Sequence, residues 1–243
     1  MLASPLVEVV FEVRFNPKNN FSTELLIQVN QVFENHLNIT QADGLKFPAD
    51  LKSKQQDLYY VPSYRVDYPS FSLLISDGSL IVLKDAVNTN YSGWCNFKSI
   101  PTKILGILKA KNKISEIHRF SLKYTNLIAS DDSFRNLDFS LKIGDDELDE
   151  STKLTLKTEV KDGDIVTLTD IESHVELQNS NHTEGVEPQI ISGTLFIIDV
   201  INNTGIKSLE NVDTEFLEVL EILHLKASQT YTKIYNKQGA SDE

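Results

Sequence analysis

EIHRFSLKYTN, residues 116–126, is the stretch whose reading decides the fold. Its alternation puts His118, Phe120, Leu122, Tyr124 and Asn126 on one face of a strand, and Ile117, Arg119, Ser121, Lys123 and Thr125 on the other. One face is mostly apolar and the other charged, which suits a central strand with two different environments. The stretch also stands at a change of charge. Residues 1–128 hold 14 Lys/Arg against 11 Asp/Glu, whereas residues 129–187 hold 5 against 16 and residues 188–243 hold 4 against 8. Most of the net charge of −12 therefore belongs to the middle of the chain. An acidic segment of this kind repels phosphate backbones and suits a basic partner, and it equally describes a hairpin face kept soluble by charge.

Working toward the N-terminus, Pro5 opens LVEVVFEVRF, in which Val7, Val9, Phe11, Val13 and Phe15 share one face and Glu8, Glu12 and Arg14 punctuate the other. That is the pattern of a half-buried strand. Ser22 is a candidate cap for a helix in which Leu25, Leu26, Val29, Val32, Phe33 and Leu37 form the apolar side. Residues 40–57 are turn-rich, and three short strands are expected at 58–67, 70–76 and 79–84, the last two joined by the SDGS turn at 76–79. A second helix is expected from Lys98 or Ser99 to about Lys111, with Ile100, Ile104, Ile107 and Leu108 inward and Pro101 in its first turn. The order β-α-β-β-β-α-β is close to a split βαβ pattern with an added strand.

Toward the C-terminus, strands are expected at 137–143, 153–160, 164–177 and 193–202, with KDGD at 161–164 turning the middle pair. A final helix is expected from Thr214 to about Tyr235, capped by Asn211 or Asp213. Phe216, Leu220, Leu223, Ala227, Tyr231 and Ile234 recur at helical spacing along it. Packing on the second sheet explains this stripe first, while Phe216, Leu220, Leu223 and Tyr231 are also candidates for an interface, either in a dimer or with the first half of the chain. The fold class expected is α+β: two lobes of mainly antiparallel sheet, each covered by helix, with an N-terminal lobe over 1–128 and an acidic C-terminal lobe over 129–243. At 243 residues the chain has room for one large core or two of roughly 120 residues each.

Function is less legible. The single cysteine, Cys95, excludes an intrachain disulfide and agrees with a reducing compartment. No apolar run approaches the roughly 20 residues of a membrane span, and Glu8, Glu12 and Arg14 interrupt the start as a signal peptide, so a cytoplasmic protein is expected. The histidines at 36, 118, 174, 182 and 224 form no short ligand motif; His118 reads as a packed or hydrogen-bonded residue and His224 as a helix-packing or surface residue. No GxSxG, GxGxxG or P-loop occurs, so no catalytic residue, metal or cofactor is assigned. Asp199, inside FIIDVI, calls for an edge position, an internal salt bridge or a backbone hydrogen bond in so apolar a strand, or else acts as an acid or base. Glu8, Glu12 and Arg14 would meet Arg119 and Lys123 if the two long strands of the first half are neighbours, each pair contributing roughly 0.2–1 kcal/mol. The same groups could line a cleft between the lobes, with Arg14, Arg119, Tyr124 and Asp199 as its candidate residues. Lys103, Lys109, Lys111 and Lys113 are the candidate nucleic-acid contacts, with Trp94 and Phe97 near them for stacking. The net charge of −12 argues against a broad phosphate-binding surface.

Taken together, PLVEVVFEVRF at 5–15, YSGWCNF at 91–97, IHRFSLKYTNLI at 117–128, LFIIDVIN at 195–202 and the Leu223–His224 pair resemble a sporadically distributed prokaryotic family of uncharacterised proteins. The resemblance spans about residues 5–235, with Lys123 where relatives often carry arginine. It implies no established activity, and it favours an interaction or regulatory protein, such as an accessory component of a defence or toxin-control system. A protein partner or self-association is expected on this reading. A small-ligand binder or enzyme with a cleft between the lobes, and a nucleic-acid binder using residues 98–123, are the alternatives.

Overall fold

A computed structural model of the chain describes residues 6–89, 91–109, 114–129, 137–138, 142–147, 152–178, 190–206 and 212–235. In chain order the elements are β1 (Leu6–Phe15), α1 (Phe21–Val32), β2 (Asn38–Gln41), α2 (Ala49–Lys54), β3 (Tyr64–Asp67), β4 (Ser72–Ile75), β5 (Ser79–Asp85) and α3 (Trp94–Lys109). They continue through β6 (Ile117–Ile128), β7 (Lys142–Ile143), β8 (Asp146–Glu147), β9 (Thr155–Asp162), β10 (Ile165–Gln178), β11 (Ile190–Asn202) and α4 (Val212–Ile234). The fold is α+β.

The decisive strand lies at the centre, as its pattern requires, but it does not divide two sheets. β6 pairs antiparallel with β1 on one edge and with β11 on the other. The result is one nine-stranded sheet in the order β2-β3-β4-β5-β1-β6-β11-β10-β9. The expectation of a separate sheet for each half is corrected by that pairing. Alternation reports which face a side chain takes, whereas a strand also offers two edges of N–H and C=O groups that must be satisfied. Within the first half, β5 lies between β1 and β4 and runs antiparallel to both.

All three long helices lie side by side on one face: α1 against β4, α3 against β5, and α4 against β6 and β11. The buried side chains beneath them come from both halves and form one core. Phe216 of α4 sits edge-on to Phe11 of β1 at 6.0 Å and to Phe120 of β6 at 5.5 Å. Phe216, Leu220 and Leu223 are fully buried there, so these candidate interface residues are core, while Tyr231 stacks on Phe196. The same amphipathic stripe serves packing because a sheet face this wide needs an apolar cover. The outer strands are protected differently. β2 is only four residues long, and β9 carries Lys157, Glu159 and Lys161, charges that discourage further pairing.

Several boundaries differ from those expected. α3 begins at Trp94, just after Gly93 at φ +95, so Pro101 falls inside the helix rather than in its first turn. Of the strand expected at 58–67 only 64–67 forms; Gln56–Tyr60 is a 3-10 turn, and α2 occupies part of the segment expected to be loop. Of the strand expected at 137–143, Leu137 bridges Tyr235 and Lys142–Ile143 pairs in a small hairpin with β8; residues 139–141 lie outside the described residues. A register shift between Arg14 and Phe15 opposite the start of β6 buries Ile117 and leaves His118 exposed, the reverse of the simple alternation. Gly205 belongs to this same irregularity, since a Cβ there would stand 2.2 Å from the Ile117 carbonyl oxygen.

The cap of α1 also departs from the local pattern. Asn20 at the N-cap makes no side-chain bond, and the Ser22 N–H donates instead to Asp77 Oδ1 at 2.8 Å. Asp77 comes from the SDGS hairpin turn and accepts from Lys52 Nζ of α2 through its other oxygen at 2.7 Å. This buried carboxylate thus joins a hairpin, a helix N-terminus and a cation. Asp77→Ala leaves Lys52 buried without a counter-charge, and the expected cost is about 3–5 kcal/mol in urea unfolding. Lys52→Met strands the buried Asp77 carboxylate in turn but leaves the Ser22 bond in place, so it should cost less by about 1 kcal/mol, the worth of the cap. Equal costs would show that the helix cap contributes nothing.

Candidate functional site

Register sorts the charged residues of the three central strands onto the face opposite the helices. On that face, which none of the long helices among the described residues covers, Arg14 stands directly across from Arg119, Glu12 from Ser121, Val10 from Lys123 and Glu8 from Thr125. On the other side of β6, Asp199 of β11 stands across from Lys123, and Ile201 from Ser121. Three cations and three carboxylates therefore share a small area framed by Val10, Ile81, Ile197 and Ile201.

Two of the possible pairs are closed. Arg14 Nε donates to Glu12 Oε1 at 2.9 Å, and its guanidinium lies 4.7 Å from the centre of the Tyr60 ring. Lys123 Nζ stands 3.6 Å from Glu8 Oε2 along the diagonal of the β1–β6 ladder, the cross-strand contact that the charge pattern anticipates. The third pair stays open. Arg119 Nε and Asp199 Oδ1 are both buried without a hydrogen-bond partner among the described residues. Burial pushes the Asp199 carboxyl above its usual range, with Arg119 and Lys123 pulling it down and Glu12 pushing it up. Asp199 is on an inner strand, and no ion pair or backbone bond of the kind expected for it forms among the described residues.

At the Glu8 end of the same face is a cavity of about 600 Å³, whose lining includes Leu83, Leu127 and Leu195 and the acids Glu8, Asp67 and Asp85. Arg65 donates to Asp67 at 2.7 Å, and Asp85 accepts from the N–H groups of Val87 and Asn88 at 2.9 Å. These acids are therefore engaged locally.

Tyr124 does not join Arg14, Arg119 and Asp199. It faces the helices, as an odd spacing of five residues from Arg119 on one strand requires. There it meets a second cluster that sequence reasoning did not assemble. The Tyr124 hydroxyl is 2.9 Å from His224 Nδ1 of α4, and the His224 ring lies on the indole of Trp94 with centroids 4.4 Å apart and planes 9° from parallel. Trp94 Nε1–H donates to Glu221 Oε2 at 3.1 Å, and Lys98 bonds the other oxygen of that carboxylate. Burial holds the Tyr124 and Tyr91 phenols above their ordinary values and the His224 imidazole below its own, Glu221 opposing the latter and Lys98 adding to it. Trp94 and Tyr91 come from YSGWCNF and His224 from the Leu-His pair, so three separated motifs meet against β6. Tyr124 and His224 are 100 residues apart in the chain, and no local pattern signals the contact.

The basic stretch is largely consumed. Lys98 bonds Glu221, Lys109 bonds Asp213, and Lys103 lies 5.6 Å from the Phe33 ring centre. Lys111 and Lys113 lie outside the described residues. Among the described residues no group of His, Cys, Asp or Glu side chains is arranged to hold a metal ion, and no helix is long and apolar enough to cross a membrane.

No protein-family model matches the chain, and no curated protein matches it at a significant level.

Trp94 is the only tryptophan in the chain, so the stacked pair can be followed directly. Protonated imidazole quenches indole emission. Acidification is therefore expected to lower the fluorescence with a midpoint below about 6.5, because the buried ring resists protonation. The stability contributed by neutral His224 is present above that pH and declines as pH falls through the lowered value. His224→Asn should remove the transition; a midpoint at or above the ordinary value would contradict the stacked, buried geometry.

Proposed function

We propose that the protein is a non-enzymatic recognition protein, an interaction or regulatory component that reads its partner or ligand with the uncovered face of its sheet. The observation that carries this reading is the open pair, Arg119 and Asp199, whose buried Nε and Oδ1 atoms have no partner among the described residues, on a face that no long helix among those residues covers. Buried, unpaired charge costs stability, and proteins keep such costs mainly where the group does something else. The candidate cleft thus becomes a surface: Arg14 and Arg119 belong to residues 1–128, Asp199 to residues 129–243, and the site straddles that division. In this reading the first half is a split βαβ-like unit, and the second supplies the carboxylate. An accessory role in a defence or toxin-control system is compatible with it.

Nucleic-acid binding has less support, since the lysines of α3 are engaged by Glu221, Asp213 and Phe33. Self-association through the apolar stripe of α4 would require core residues to be exposed.

Asp199→Asn tests the reading without a ligand in hand. The raised carboxyl means that the folded state holds the charged form at a cost above the ordinary carboxylate range, and a neutral isostere is relieved of it. The variant is expected to gain roughly 0.5–2 kcal/mol at pH 7 in urea unfolding. The gain should disappear below about pH 4, where the unfolded wild type is protonated as well. A loss of similar size at pH 7 would make Asp199 a structural ion-pair partner and would remove the proposal.

A further inference from the structure

Resting on that reading, the site can be given a ligand class. Of the three cations on the uncovered face, Arg14 is held by Glu12 and Lys123 by Glu8. What is left over is one guanidinium, Arg119, and one carboxylate, Asp199. Neither has a hydrogen-bond partner at its buried atom, and no ion pair joins them. A simple anion offered to Arg119 would face the Asp199 carboxylate, and a simple cation offered to Asp199 would face Arg119 with Lys123 and Arg14 beyond it. Each would gain one attraction and one repulsion. A molecule carrying both charges gains two attractions.

The placement of the two groups favours a small molecule. Asp199 is in register with Lys123, four residues along β6 from Arg119, yet Arg119 is the positive group that acts most strongly on the Asp199 carboxyl, ahead of Lys123. Arg14 lies abreast of Arg119, a like-charge neighbour that is unfavourable by itself and becomes useful when an anionic oxygen sits between the two guanidinia. The framing side chains Val10, Ile81, Ile197 and Ile201 are apolar, so both ion pairs would form where screening is weak.

We propose that the uncovered face binds a small zwitterion of the amino-acid type, its carboxylate held by Arg119 beside Arg14 and its ammonium by Asp199. The wild-type protein would be titrated by calorimetry and thermal shift with glycine, β-alanine and γ-aminobutyrate, which keep both charges while the distance between them grows. Propionate, ethylamine and inorganic phosphate serve as single-charge probes. At least one zwitterion is expected to bind saturably, and more tightly than any single-charge probe. Its affinity should fall about tenfold or more in Asp199→Asn and in Arg119→Gln. Arg119→Lys, which keeps the charge and loses the planar fork, should fall between wild type and Arg119→Gln and serves if the glutamine variant does not fold. Binding of propionate or phosphate that equals the zwitterions and survives Asp199→Asn would overturn the proposal in favour of a plain anion site. The absence of binding by all three zwitterions would overturn it too. If Asp199→Asn nevertheless stabilises the free protein, the recognition surface stands and only the ligand class falls; if it does not, both fall.

Discussion

Hydrogen bonding of β6 along both of its edges is the constraint on which the remaining structure depends. With β1 on one side and β11 on the other, the main-chain groups of this strand are taken up within the sheet, and each side chain is committed to one of two faces. On the covered side Phe120 and Leu122 enter the core and Tyr124 reaches His224. On the uncovered side Arg119, Ser121 and Lys123 are set against β1 and β11. A slip of one residue in either ladder would exchange these sets, moving charges under the helices and aromatics toward solvent. The register of a single strand therefore determines both the core and the polar surface.

Long-range contacts then close the structure around that sheet. Phe216 brings the last helix onto aromatic rings from β1 and β6, so the two ends of the chain share one core. Asp77 does comparable work at the other margin, where one carboxylate serves α1 and Lys52 together. Both contacts place a group from one part of the chain where a distant element has an unmet need: apolar cover for a sheet face, or an acceptor for a helix N-terminus. The two side-chain clusters on either face of β6 differ in the same terms. Around Trp94 the polar atoms of Tyr124, His224, Glu221 and Lys98 find one another, whereas on the uncovered face Arg119 and Asp199 do not.

Much of this architecture can be read without coordinates where the signal is local. The SDGS and KDGD turns form hairpins between β4 and β5 and between β9 and β10, because a two-residue turn of this chemistry acts over a few residues. The stripe on α4 and the alternation on β1 and β6 likewise depend on neighbours in sequence. Errors gather where a distant group intervenes. Ser22 is capped by Asp77 rather than acting as the cap, and the irregular pairing opposite His118 turns that side chain outward. The grouping of Tyr124 with Arg14, Arg119 and Asp199 failed for a simpler reason, since alternation already assigns it to the other face.

The chain's own pattern determined the α+β class, the central place of residues 117–128 and the charged character of one strand face, all consequences of periodicity over a few residues. Only the tertiary structure decided that the halves join in one sheet, that α4's apolar stripe is core, and that Arg119 and Asp199 share a surface without bonding. Strand pairing and charge compensation are settled between residues far apart in the chain, and a one-dimensional pattern carries no record of which edges and which charges come to lie side by side.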